Sequence, residues 1–67
     1  MKVYEGTWEE LEQLGYTSNF DKTYYFKHFN GKYSAIFIDV ATRLISTESV
    51  IDIAACEEEL SKLKIRG

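Results

Sequence analysis

Between Thr7 and Gly15 the apolar residues Trp8, Leu11 and Leu14 recur three apart among acidic neighbours, which puts them on one stripe of a helix. Thr7 and Glu10 have capping-box spacing. The Thr7 hydroxyl can accept the Glu10 amide proton, and the Glu10 side chain can reach back to the Thr7 amide. Glu9, Glu10 and Glu12 suit the positive end of the helix dipole, and Gly15 stands where a C-terminal cap belongs. The pattern predicts a helix over 8–14.

Residues 16–21 carry turn chemistry and no period. Tyr and Phe then crowd 22–29, as in a strand, and Asn30-Gly31 is a strong hairpin signal. Residues 33–39 form the return strand and 43–47 a third. From about Ile51 the steps become helical, with Ile53, Cys56, Leu60 and Leu63 on one side. Lys62, Lys64 and Arg66 fall near the negative end of that dipole. The expected fold is α+β: a three-stranded antiparallel meander with a short N-terminal helix and a longer C-terminal helix, α-β-β-β-α. The 67 residues form a single domain, 1–67, with both helices on one side of the sheet.

Strand alternation makes hairpin register decide which residues are core. A two-residue loop sets Phe29 opposite Lys32 and Phe26 opposite Ala35. A three-residue loop sets Phe29 opposite Tyr33, Phe26 opposite Ile36 and Tyr24 opposite Ile38. The second is preferred, because it gathers Tyr24, Phe26, Ile36, Ile38 and Ile45 on one face that two helices can cover. Tyr25, Phe29, Tyr33, Phe37 and Leu44 then occupy the opposite face, with Lys27 among them. A half-exposed sheet normally alternates apolar with polar residues, so this aromatic second face needs an explanation. Either the second helix or the segment around Phe20 wraps over it, or these are the scattered exposed aromatics common on a small sheet, or it is an interface.

Composition favours the interface. Hydrophobic residues are 45%, but a chain this short encloses little, and domains of its size usually need extra support. Its single cysteine, Cys56, rules out an internal disulfide and fits a reducing compartment. One Cys and one His are too few for a tetrahedral zinc site. The net charge of −3 argues against direct nucleic-acid binding. No segment reads as a membrane span or a leader, so a cytoplasmic location is expected.

Chemistry-bearing constellations are sparse. His28 reads as a surface residue near the hairpin tip, and Cys56 as a packed thiol. A Cys56–His28 nucleophile pair is formally conceivable, but nothing completes it. No second acid is placed beside Asp39 by spacing, and the four glycines are isolated, so no phosphate loop exists. Lys22, Lys27 and Lys32 among the aromatics are a faint echo of a single-strand-binding sheet. Glu9, Glu10, Glu12 and Glu57–Glu59 could form an acidic rim.

Three segments carry a resemblance. TWEELEQLGY (7–16), IFIDVATRLIS (36–46) and IDIAACEEELSKL (51–63) look like the opening helix, central strand–turn–strand and closing helix of small αβββα proteins of phages and prophages of Gram-positive bacteria. The resemblance covers most of the chain through generic motifs. It implies an αβββα fold, a phage setting in the host cytoplasm, and inhibition of a host factor such as a defence system. It implies no catalytic residues, and it does not include the Asn-Gly turn or the aromatic face.

The expectation is therefore a non-enzymatic interaction module with no cofactor, no metal and no catalytic residue. It would bind a host or phage protein through Tyr25, Lys27, Phe29, Tyr33, Phe37 and Leu44. The same patch could build a homodimer. The alternatives are an acidic nucleic-acid mimic and a self-associating structural protein.

Overall fold

A computed structural model describes residues 2–29, 34–48 and 53–67. Along the chain run β1 (Val3–Tyr4), α1 (Trp8–Gln13), β2 (Thr17–Ser18), β3 (Tyr24–Phe29), β4 (Ser34–Asp39), β5 (Ile45–Glu48), α2 (Ile53–Ser61) and β6 (Ile65–Arg66). Strands β2-β3-β4-β5 form an antiparallel four-stranded sheet in chain order, and β1 pairs antiparallel with β6. The mixed α+β class is as expected. The three-stranded α-β-β-β-α order is not, because β1, β2 and β6 are additional. Each of these three is two residues long, too short to leave a period in the sequence.

The first helix follows its capping chemistry. The Glu10 amide donates to Thr7 Oγ1 at 3.1 Å, while the Thr7 hydroxyl meets Glu10 Oε1 at 3.3 Å, so the glutamate returns to the hydroxyl rather than to the amide. At the far end Gly15 adopts φ +97°, the Gly15 amide donates to Glu12 O, and the Tyr16 amide donates to Leu11 O. That bond pair is a Schellman termination, and its usual apolar contact is present, since Leu11 and Tyr16 share the core.

Both helices cover one sheet face. The core is Tyr4, Leu11, Tyr16, Ile36, Ile38 and Leu63, with Trp8, Leu14, Tyr25, Phe29, Ile45, Leu60 and Ile65 packed against it. Ile36 and Ile38 are core, as expected, and Ile45 joins them half-buried. Ile53, expected on the buried stripe of α2, is 68% exposed. Lys64 and Arg66 lie beyond α2, at and in β6, and pair with Glu10 and Glu5 instead of a helix terminus.

Hairpin register is the main correction. Tyr24 pairs with Asp39, Phe26 with Phe37 and Phe29 with Ser34, so neither expected register applies. Residues 30–33, and with them the Asn-Gly turn, lie outside the described residues. The alternation of β4 is the expected one. β3 is displaced by one position against it, which exchanges its two faces. Tyr24 and Phe26 leave the core side, while Tyr25, Lys27 and Phe29 enter it.

Strand β1 joins the two sheets. Besides pairing with β6, Val3 bridges Leu44, the Tyr4 amide donates to Arg43 O, and the Ile45 amide donates to Lys2 O. No described helix is long and apolar enough to cross a membrane.

Candidate functional site

Three of the six expected contact residues sit under the helices. Tyr25 stacks on Trp8, Phe29 packs against the core, and the Lys27 ammonium pairs with Glu59 Oε2 at 3.1 Å. Lys27 reaches Glu59 by laying its stem along Gly15 and the Tyr16 ring, whose centroid is 5.7 Å from Nζ. A long cationic side chain can cover apolar surface this way while its head finds a partner, which explains a lysine on the core side. Tyr33 lies outside the described residues. Phe37 and Leu44 are on the open face, as expected.

The open face exists, with other residues on it. Tyr24, Phe26 and Phe37 form a ring cluster: Tyr24–Phe37 centroids are 5.6 Å apart edge to face, Tyr24–Phe26 5.8 Å and Phe26–Phe37 6.2 Å. His28 extends the row, edge-on to Phe26 at 5.7 Å. These are the cross-strand and diagonal contacts an antiparallel pair provides. None of the four joins the helix-covered core. Neither expected cover applies: α2 packs on the other face, and Phe20 is 99% exposed.

At one end of this face Tyr24, Phe37, Asp39, Thr42, Leu44 and Ser46 line a groove of about 500 Å³. The turn below it is fixed by Asp39, whose Oδ1 accepts the Ala41 and Thr42 amides, both at 2.9 Å. Those bonds, that of Thr42 foremost, hold the Asp39 carboxyl below its ordinary value, so it stays charged. The turn closes with Arg43 at φ +64°, which sends its side chain away from the groove. The guanidinium lies 4.4 Å from the Trp8 ring, and Nη1 donates to the carbonyls of Tyr4 (3.1 Å) and Gly6 (2.8 Å).

A second turn stands at the same end of the sheet. The Asn19 side chain accepts the Thr23 and Tyr24 amides at 2.8 and 3.0 Å and donates to Thr23 Oγ1, with Lys22 at φ +57°. The Val40 amide donates to Thr23 O and ties the two turns together. Phe20 is held at this turn in full contact with solvent.

Catalytic groupings do not assemble. The sheet separates His28, on the open face, from Cys56, buried on the helix side, so no nucleophile pair forms. Among the described residues no three His, Cys, Asp or Glu gather as a metal set. Tyr16 Oη is buried without a hydrogen bond among them, and burial, with the Glu59 charge second, pushes its hydroxyl well above the ordinary range. The acidic rim is partly consumed internally, with Glu59 on Lys27 and Lys62 and Glu10 on Lys64.

The sequence reading missed Tyr24, Phe26, Asp39, Thr42 and Ser46 as site residues and left Phe20 as a possible cover. The face of Tyr24 and Phe26 follows from register alone. Asp39 had a signal, an acid opening a turn without Gly or Pro. Comparisons with protein-family models, curated proteins and solved structures give no significant match.

Proposed function

We propose that this protein is a non-enzymatic interaction module that docks a protein partner on the open sheet face of Tyr24, Phe26, Phe37 and Leu44. The observation that carries this reading is the ring cluster with no described helix over it. Burying a Phe fully is worth about 1.5–3 kcal/mol, so three partly exposed rings leave several kcal/mol for a partner to gain. Phe20, fully exposed at the neighbouring turn, adds a fourth ring. The resemblance to small phage proteins makes a host protein, inhibited or redirected by stoichiometric binding, the expected partner.

The acidic-mimic reading is weaker, because Glu10 and Glu59 are already neutralised by this chain's own lysines. The test is capture from host lysate with wild type and with the Phe26→Ser/Phe37→Ser variant, each checked by circular dichroism. A specific protein held by wild type and lost by the folded variant is expected. Equal retention by both would overturn the proposed surface. Sedimentation of the two proteins asks whether a second copy uses the same face.

A further inference from the structure

Building on the docking role of the open face, we propose that its groove receives an arginine side chain of the partner protein. Tyr24 and Phe37 meet edge to face at 5.6 Å and 68°, giving two aromatic walls in different planes. Leu44 adds an apolar wall, and Thr42 and Ser46 bring hydroxyls. Among the described residues that line the groove, Asp39 is the one that carries a charge, and none is a lysine or arginine. A guanidinium suits such a place. Its plane lies against ring faces, its methylene stem against Leu44, and its N–H groups reach a carboxylate or hydroxyl.

The chain's own arginines point to a different protein as the donor. It has two, Arg43 and Arg66. Arg43 is spent on the Tyr4 and Gly6 carbonyls and the Trp8 ring, and Arg66 pairs with Glu5 at 3.4 Å. A second copy would have to break one of these contacts to fill the groove. The net charge of −3 also favours the approach of a basic partner segment to this protein.

Asp39 serves the fold as well, and asparagine keeps the Oδ1 acceptor for the turn while removing the charge. A second variant, Ser46→Lys, puts an ammonium into the groove without touching the turn.

The experiment is a titration of the uniformly 15N-labelled full chain with acetyl-Gly-Arg-Gly-amide, and in parallel with the neutral citrulline analogue. Saturable shifts at the amides of Tyr24, Phe37, Asp39, Thr42, Leu44 and Ser46 are expected, with an affinity on the order of millimolar for so small a ligand. The citrulline peptide should bind about fivefold more weakly or worse. Asp39→Asn should cost a similar factor, and Ser46→Lys should abolish the shifts. Equal binding of citrulline, indifference to both substitutions, or shifts elsewhere or none would overturn the proposal. The lysate comparison of the Phe26/Phe37 variant judges the docking face separately, so that face can stand when the arginine preference falls.

Discussion

Trp8 and Tyr25 lie with ring planes 1° apart and centroids at 5.1 Å, pinning the first helix flat against the second strand of the main sheet. The stack assigns Tyr25 to the interior side. Arg43 adds a cation 4.4 Å from the same indole, so helix, strand and turn converge on one ring. Trp8→Ala should therefore cost about 3–5 kcal/mol and Tyr25→Ala about 2–3 kcal/mol in urea unfolding. Phe26→Thr, on the open face, should cost less than either. A loss from Phe26→Thr that matched Trp8→Ala would contradict the face assignment.

Arg43 combines a clamp with an unfavourable backbone. Arg43→Ala removes two charge-assisted hydrogen bonds and the ring contacts while keeping a side chain at positive φ, and should cost about 2–3 kcal/mol. Arg43→Gly loses the same contacts but relieves the left-handed strain, recovering about 1 kcal/mol. Denaturation midpoints should rank wild type above Gly above Ala. Reversal of the last two would show that the turn carries no strain.

The Tyr16 hydroxyl is buried and lacks a hydrogen-bond partner among the described residues. Phenylalanine keeps the ring and removes an oxygen that cost solvation to bury. Tyr16→Phe should be neutral or stabilising by up to about 1 kcal/mol. A loss above that amount in calorimetry would mean that the hydroxyl has a partner after all.

Asp39 and Glu10 predict the acid limb of stability. Hydrogen bonds from the turn amides hold Asp39 below 3.8, and Lys64 holds Glu10 below 4.5. With the folded-state value below the unfolded one, the stabilisation is complete above the unfolded value and is lost as pH falls through the folded one. Thermal midpoints should drop as pH goes from about 5 to about 3. Asp39→Asn should flatten part of that drop. Salt should weaken the Glu10 share more, since Lys64–Glu10 is an exposed ion pair. An unchanged profile for Asp39→Asn would remove Asp39 from the account.

How much of this was legible depended on the range of the signal. The first helix, its Thr7 cap and its Gly15 exit are written within nine residues, and they appear in the structure. So do Ile36 and Ile38 as core and Ile45 against it, because their side follows from the β4–β5 pairing of Ile38 with Ile45. The register of β3 was not legible, because Tyr24-Tyr25-Phe26 is aromatic on both faces and Lys27 looks like a surface residue wherever it is placed. Hydrophobicity could not penalise a one-residue slip, and the Asn-Gly signal did not fix the register that sets Phe29 opposite Ser34. Leu44 and Phe37 were placed correctly because their face depends on β4 and β5 alone. The partnership of Lys27 with Glu59 spans 32 positions and leaves no local trace.

The pairing of Val3–Tyr4 with Ile65–Arg66 sets an order of events during synthesis. The backbone pairing of the meander lies within residues 17–48, but Glu59, which pairs with Lys27, and Leu63, which completes the core, come later in the chain. The opening strand cannot acquire its β6 neighbour until position 66 has emerged, and such a long-range closure is slow by nature. Until then the underside of the sheet, with Ile36 and Ile38, waits for its last cover.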